Sequence, residues 1–212
     1  MLFFHKRKHV PQRTLDQLKT SVNILFIDNE VFNLTNELKE KEGWKRLRTV
    51  SDISSLSQVE LVDAHIVCSD IQGVGVELGF PDEGLGLIAA IHEKYPEKKI
   101  IMYSAEAQGR VDAFHPAENL VDGRLRKSAN RYQFETEIER LAQEAFCLDA
   151  CALNIQRVLS RELNINLGID EIKKAIEKLY STGNYKSDNI CKVFNLNNAA
   201  AIANILDLFF SI

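Results

Sequence analysis

The feature that most constrains the fold is an alternation of short apolar runs with segments of helical spacing. Five runs have strand character: 22–27, 45–50, 65–69, 98–104 and 123–127. Helical spacing follows them at 31–43, 53–62, 82–96, roughly 107–119 and from about 131. Parallel strands need crossover connections of this kind, so the pattern predicts a doubly wound α/β fold with five parallel strands and helices on both faces. The runs at 22–27, 65–69 and 98–104 are the most apolar and should be central, whereas 45–50 carries basic residues and should be an edge.

An all-α region is predicted to follow the sheet. No glycine or proline occurs between Gly123 and Gly168, and apolar residues over 138–163 recur with a period near 3.5. The pattern predicts one long helix or two abutting helices, and both packing on the sheet and a dimerising coiled coil fit it. Three shorter helical patterns follow at 170–181, 188–194 and 198–211.

These patterns predict three parts: a basic extension over 1–20, an α/β domain over 21–146 and a helical module over 147–212. The extension carries five basic residues and one acidic residue, although the whole chain has a net charge of −4. Such a tip is typical of a solvated tail, and contact with an acidic partner or a membrane surface is the alternative.

The chain has no run near the ~18 apolar residues of a membrane-spanning helix, and its apolar start is too short for a signal peptide. None of its four cysteines forms a CxxC or a metal-ligand spacing, and no histidine pairs with a cysteine or an acid at zinc spacing. We therefore expect a cytoplasmic protein without a zinc site.

Polar and charged residues whose chemistry suits one common site stand at the ends of four of the predicted strands. Asp28, Asp70, Ser104 and Lys127 each stand where a strand ends, and Asn29 follows Asp28. The carboxyl ends of parallel strands lie on one edge of the sheet, where ligands bind. Oxygen donors there can hold a hard cation such as Mg²⁺, a carboxylate can attack phosphorus, and a lysine can offset phosphoryl charge.

The stretches "NILFIDNE", "HIVCSD", "IIMYSA" and "DGRLRKS" resemble the receiver domain of two-component response regulators over residues 22–146. The resemblance implies a flavodoxin-like fold with strand order 2-1-3-4-5. It implies that Asp70 is the phosphoacceptor, that Ser104 is the switch hydroxyl and that Lys127 binds the phosphoryl group. By the same resemblance, the Mg²⁺ ligands are Asp28, Asn29, Asp70 and Gln72.

The resemblance also implies a partner, which is a histidine kinase or a phosphotransfer protein. It implies no enzyme activity beyond self-phosphorylation and dephosphorylation at an aspartate. The leading hypothesis is therefore a signalling protein that is phosphorylated on Asp70 and changes a helical output or dimer surface.

Several positions depart from the family pattern. Asn29 stands where a second acid is usual, Arg124 where an aromatic switch residue is usual, and Ser128 where proline is usual. The loop after Asp70 is also longer than usual. These departures favour an alternative function, a pseudo-receiver scaffold that works by protein contact without phosphorylation.

A DNA-binding regulator is a third hypothesis, because 188–194 and 198–211 have the spacing of a helix-turn-helix. However, residues 197–212 contain no lysine or arginine, which a DNA-reading helix needs for phosphate contacts. We expect this region to pack, dimerise or dock a partner instead. An α/β enzyme ranks last, because no glycine-rich phosphate loop, nucleophile elbow or dinucleotide fingerprint is present.

Overall fold

The computed structural model describes residues 10–105 and 116–210. These residues form two compact units. One is Thr14–Ala145, and the other comprises the described residues before Thr14 together with those from Phe146 onward. The chain thus passes between the units at 13/14 and at 145/146, whereas the three predicted parts of the sequence divide at 20/21 and 146/147.

The first unit is built on a five-stranded parallel sheet with the order β2-β1-β3-β4-β5. Its strands are β1 (Ile24–Ile27), β2 (Leu47–Val50), β3 (Ile66–Asp70), β4 (Lys99–Ser104) and β5 (Gly123–Arg126). The predicted flavodoxin-like order is confirmed. The most apolar strands β1, β3 and β4 are central, and β2, whose Arg48 and Thr49 are exposed, is an edge.

Helices cover both faces of this sheet. They are α1 (Leu15–Ser21), α2 (Leu34–Glu40), α3 (Val59–Asp63), α4 (Glu83–Lys94), a 3₁₀ helix (Pro116–Leu120) and α5 (Arg131–Ala145). On one face, Val67 and Ile100 of the sheet pack in a cluster with Ile88 of α4. On the other face, the rings of Phe26 and Tyr103 lie 6.3 and 5.7 Å from that of Phe134 in α5.

Several predicted helices are shorter in the structure, including the pattern at 31–43, which is helical only over Leu34–Glu40. The pattern at 53–62 becomes helical from Val59, because the Gln58 side chain accepts the Ser54 amide and holds the preceding residues in a turn. The pattern at 107–119 is partly outside the described residues, and the part that is described forms the 3₁₀ helix. The lead-in helix α1 begins with a capping box between Thr14 and Gln17.

The second unit contains four helices among its described residues: α6 (Leu148–Leu163), α7 (Ile169–Thr182), α8 (Ser187–Phe194) and α9 (Ala200–Phe210). Of the two arrangements predicted after residue 131, the structure has two abutting helices, α5 and α6. The break occurs at Cys147, whose backbone is extended and whose sulfur accepts the Ala150 amide as the N-cap of α6.

The apolar sides of these helices share one core. Buried residues from every helix contribute to it, including Leu159, Ile176, Phe194 and Ile202. Arg13 belongs to the same unit, since it donates a hydrogen bond to the Phe209 carbonyl and its guanidinium lies 4.6 Å from the centre of the Phe146 ring. No helix in the described parts of the chain has the length and apolarity that a bilayer crossing requires.

Candidate functional site

Strand register places the two predicted aspartates side by side. Ile27 of β1 is the partner of Ser69 of β3. The residues that follow this pair are Asp28 and Asp70, so their carboxylates emerge at the same edge of the sheet. Both residues are buried, at 9% and 3% exposure, although they stand at the mouth of the sheet.

The same edge receives Ser104 and Lys127 from the next two strands. Ser104 is the partner of Arg126, the last residue of β5, and the amide of Lys127 donates to the Ser104 carbonyl over 2.7 Å. Ser104 is 7% exposed. Register alone therefore brings together residues that are about a hundred positions apart in sequence.

Asp70 is fixed through both carboxylate oxygens. Its Oδ1 accepts the backbone amides of Ile71 and Gln72 at 2.7 and 3.3 Å. Its Oδ2 accepts the Lys127 ammonium at 2.7 Å. Two backbone amides and an ammonium thus hold the carboxylate in one orientation, as a positioned nucleophile requires.

Asp28 is also engaged on both oxygens. Oδ1 accepts the backbone amide of Glu30 and the Lys127 ammonium, both at 2.9 Å. Oδ2 accepts the hydroxyl of Tyr103 at 3.0 Å. The buried carboxylate therefore has partners on each side, as a buried charge requires.

Lys127 is the cation of the site. Its ammonium lies 2.7 Å from Asp70, 2.9 Å from Asp28 and 3.1 Å from Glu30. Partial burial disfavours its charge, but the hydrogen bonds from Asp70, Asp28 and Glu30 outweigh burial and raise the pKa of Lys127 above its usual range. The ammonium thus stays charged between the two buried carboxylates.

The sequence did not single out Tyr103, which contacts this cluster from within the sheet. It is fully buried, and its ring stacks on Phe32 at 5.3 Å and meets Phe134 edge-on at 5.7 Å. Burial and the nearby Asp28 carboxylate raise the pKa of Tyr103 far above its usual range, so the hydroxyl remains a donor. A phenol within the otherwise aliphatic run before Ser104 was the signal that could have found it.

Asn29 and Gln72, the other two predicted metal ligands, are exposed beside the aspartates. Asn29 lies against the loop after β3, because a Cβ added to Gly73 would stand 2.2 Å from its side-chain nitrogen. Gly73 has a φ of +68°, so its lack of a side chain serves both the turn and this close approach. The backbone amide of Gln72 contacts Asp70, as noted above.

The long loop between β3 and α4 is held by two carboxylates. Asp52, which follows β2, accepts the amide of Gly75 through Oδ1 at 2.5 Å and that of Glu77 through Oδ2 at 3.0 Å. Glu83 accepts the amide of Gly73 at 2.5 Å. The extra residues of the loop are therefore part of an ordered structure beside the site.

Arg124 occupies the position where the resemblance predicts an aromatic switch. Its guanidinium pairs with the Glu118 carboxylate at 2.8 Å and also contacts the Glu118 carbonyl. Arg124 is exposed, and the two contacts join β5 to the 3₁₀ helix. An ion pair thus stands at the position where the resemblance predicts an aromatic side chain.

The oxygen donors at this edge of the sheet suit a hard cation, but they carry less negative charge than is usual for a receiver domain. Oxygens of Asp28, Asp70, Asn29 and Gln72 are the ligand types that Mg²⁺ prefers. In the described part of the chain, however, no three His, Cys, Asp or Glu side chains are grouped to hold a metal ion. Asn29 contributes no charge, and the Lys127 ammonium already contacts both aspartates. We therefore expect weak affinity for a divalent cation.

No protein-family model matches the chain, and no curated protein matches it either. Among solved structures it is similar to NtrX from Brucella abortus in complex with ATP, at 22% identity and a TM-score of 0.48, over 76% of this chain and 35% of that one. The chain thus spans about a third of that NtrX structure.

It is also similar to a CheY-like receiver domain from Methanospirillum hungatei, at 21% identity and a TM-score of 0.45, over 59% of this chain and 97% of that one. A response regulator from Burkholderia pseudomallei, which carries a phosphorylated aspartic acid, a calcium ion and citrate, is 22% identical with a TM-score of 0.43, over 82% and 93%. The strand order and register described above establish the fold independently of these similarities.

Proposed function

We propose that this chain is a signalling protein of the response-regulator type, in which Asp70 accepts a phosphoryl group and the change alters a helical output or dimer surface. The observation that carries the proposal is the fixed Asp70 carboxylate, with Oδ1 on two backbone amides and Oδ2 on the Lys127 ammonium. A preorganised nucleophile beside a fixed cation is what phosphoryl transfer requires.

In the proposed reaction, an Asp70 oxygen forms a bond to phosphorus while the bond from phosphorus to the donor breaks. From a phosphohistidine of a kinase or a phosphotransfer protein, the imidazole nitrogen leaves with the electron pair. From acetyl phosphate, acetate leaves. Lys127 then offsets charge on the phosphoryl oxygens, and the Ser104 hydroxyl donates to one of them. The chemistry is confined to this aspartate. Water later hydrolyses the aspartyl phosphate, which releases inorganic phosphate and restores the Asp70 carboxylate.

A divalent cation, proposed to be Mg²⁺, would be held by Asp28, Asn29, Asp70 and Gln72 and would neutralise part of the phosphoryl charge when bound. The chain's own residues provide the rest. The backbone amides of Ile71 and Gln72 orient Asp70, and Lys127 is in place before the donor arrives.

The test is the intact mass of the protein after incubation with acetyl phosphate and Mg²⁺. We expect one added phosphoryl group in the wild type and none in Asp70→Asn. Asp63→Asn is the matched control, since it removes a carboxylate that is exposed at the end of α3, and it should be modified like the wild type. Absence of an adduct on the wild type at high Mg²⁺ concentration would refute phosphorylation at Asp70.

A pseudo-receiver scaffold is the second candidate, and the Lys127 and Arg124 contacts favour it. Lys127 already satisfies both buried aspartates, and the Arg124–Glu118 pair replaces the mobile aromatic residue. This candidate predicts no adduct on the wild type. It also predicts that Asp70→Asn leaves hydrogen exchange in α6 to α9 unchanged, whereas the leading proposal predicts a change there after phosphorylation.

For the helical unit, we propose dimerisation or partner docking rather than DNA binding, because 197–212 carries no lysine or arginine. Sedimentation of the purified chain at several concentrations tests the dimer, and a salt-dependent mobility shift with duplex DNA would contradict the absence of DNA binding. The functional division into an extension, a receiver-like domain and a helical module also stays a proposal, and cytoplasmic location stays a prediction.

A further inference from the structure

We propose that Tyr103 is a positioning residue for phosphorylation, acting through Asp28 on Lys127. The inference rests on the proposed function and names a residue outside the set of strand-end residues. The Tyr103 hydroxyl donates to Asp28 and not to Asp70, so its effect on Asp70 must pass through the groups it holds.

The geometry is a continuous chain of hydrogen bonds. The Tyr103 hydroxyl donates to Asp28 Oδ2 over 3.0 Å, Asp28 Oδ1 accepts Lys127 over 2.9 Å, and Lys127 donates to Asp70 Oδ2 over 2.7 Å. Tyr103 also lies beside Asp70 in the sheet, as its register partner across β3 and β4. Tyr103 and Asp70, which are the two ends of this series of hydrogen bonds, are thus neighbours on adjacent strands.

The Tyr103 hydroxyl is fixed because its ring is fixed. The ring is fully buried and contacts Phe26, Phe32 and Phe134 at centroid distances of 6.1, 5.3 and 5.7 Å. An anchored donor holds the orientation of the Asp28 carboxylate, and this orientation directs Oδ1 toward Lys127. Without the hydroxyl, Asp28 is held only through Oδ1, by the Glu30 amide and Lys127, so the carboxylate and the ammonium over Asp70 are both less firmly oriented.

The decisive variant is Tyr103→Phe, which keeps the ring and removes the hydroxyl alone. We expect the rate of phosphoryl incorporation from acetyl phosphate at saturating Mg²⁺ to fall about tenfold, the scale of one lost hydrogen bond to a charged group. The Mg²⁺ concentration that gives half the maximal rate should also shift, since Asp28 is one of the proposed ligands.

Tyr95→Phe is the matched control. Its hydroxyl donates to the Leu56 carbonyl over 2.7 Å, and Tyr95 lies at the end of α4, before β4 begins. This variant should lose a similar amount of stability yet keep the wild-type rate and Mg²⁺ dependence. A purely structural role for Tyr103 predicts that both variants slow in proportion to their loss of stability, and that result would overturn the inference.

A second measurement does not depend on phosphorylation. Lysine acetylation by an N-hydroxysuccinimide ester, followed by peptide mass, reports how firmly each ammonium is held. In Tyr103→Phe we expect Lys127 to be labelled at least about threefold faster relative to Lys99, because a less firmly held ammonium leaves its carboxylate partners and meets the reagent more often. If the wild type forms no adduct, the proposed function fails. Whatever the result for the adduct, unchanged Lys127 labelling in Tyr103→Phe would overturn the positioning role of Tyr103.

Discussion

The Lys127 bridge predicts a large loss of stability in Lys127→Met, because the variant leaves two buried carboxylates together without a cation. The side chains of Asp28 and Asp70 are 5% and 4% exposed. Removing one partner of a buried ion pair typically costs about 3–5 kcal/mol. Each carboxylate keeps two other hydrogen-bond donors, so we expect the lower end, about 3 kcal/mol in the free energy of unfolding.

The assay is urea unfolding followed by the fluorescence of Trp44. This is the single tryptophan of the chain and is fully buried in the α/β unit, so its signal reports on that unit. With a denaturant slope of about 1.5 kcal/mol per molar urea, a loss of about 3 kcal/mol lowers the unfolding midpoint by about 2 M.

Lys99→Met provides the matched control. Lys99 also contacts two carboxylates, Asp122 at 2.8 Å and Glu144 at 3.2 Å, but the three side chains are 24%, 27% and 43% exposed. A partly solvated pair of this kind contributes less than about 1 kcal/mol. If Lys127→Met costs no more than Lys99→Met, the bridge does not stabilise the site as argued.

The double variant separates the lost bridge from lost packing. In the Lys127→Met background, Asp70→Asn removes one of the uncompensated charges and should recover part of the lost stability. The same change in the wild type should destabilise, because it weakens the contact with Lys127. Failure of Asp70→Asn to recover any stability would refute charge as the cause.

The raised pKa of Lys127 also makes the stabilisation depend on pH. The stabilisation by Lys127 should be complete below the ordinary lysine pKa of about 10.4, and it should be lost only as the pH rises further.

Three further predictions concern other parts of the two units. Burial lowers the pKa of Lys98 to about 8, so the stability of the α/β unit should rise between about pH 8 and 10.4 in the wild type, and this rise should be reduced in Lys98→Met. Asp52→Ala should speed hydrogen exchange at the amides of Gly75 and Glu77 about tenfold or more, since both lose their acceptor. Arg13→Met should destabilise the helical unit by about 1–2 kcal/mol, measured by circular dichroism, while the Trp44 transition stays in place.

Each of these predictions has its own contradictory outcome. An equal rise of stability with pH in Lys98→Met would assign the rise to another group. Unchanged exchange at Gly75 would mean that the loop holds its shape without Asp52. A shift of the Trp44 transition in Arg13→Met would contradict the assignment of Arg13 to the helical unit.

The parallel strands and the residues at their ends could be predicted because both depend on simple periodicity, whereas the strand order was implied by the resemblance to receiver domains. A continuous apolar run can only be a buried strand or a buried helix segment, and runs as short as 22–27 and 65–69 favour strands. Once the strands are parallel, their carboxyl ends share an edge. Asp28, Asp70 and Lys127 then meet without any knowledge of side-chain packing, and the structure places them within hydrogen-bonding distance.

Contacts that depend on side-chain direction could not be predicted in this way. Tyr103 has the pattern of a core residue, and its hydroxyl partner is set by the register of β4 on β3 together with the aromatic rings beneath it. Asp52 has the pattern of a turn residue, although it holds a loop about 25 positions away. The position of the break before α6 could not be predicted either, because a cysteine is not a usual N-cap.

Asn29 and Lys127 both affect the charge balance of the site. The cluster has three carboxylates, Asp28, Glu30 and Asp70, and one ammonium, so its formal charge is three negative plus one positive, or −2. An aspartate at position 29 would make it −3, and the repulsion would call for a divalent cation even at rest. With an asparagine there, Lys127 can hold the two buried carboxylates by itself. In the proposed site, Asn29 therefore lowers the expected affinity for a divalent cation, and it also leaves less negative charge for Lys127 to balance beside Asp70.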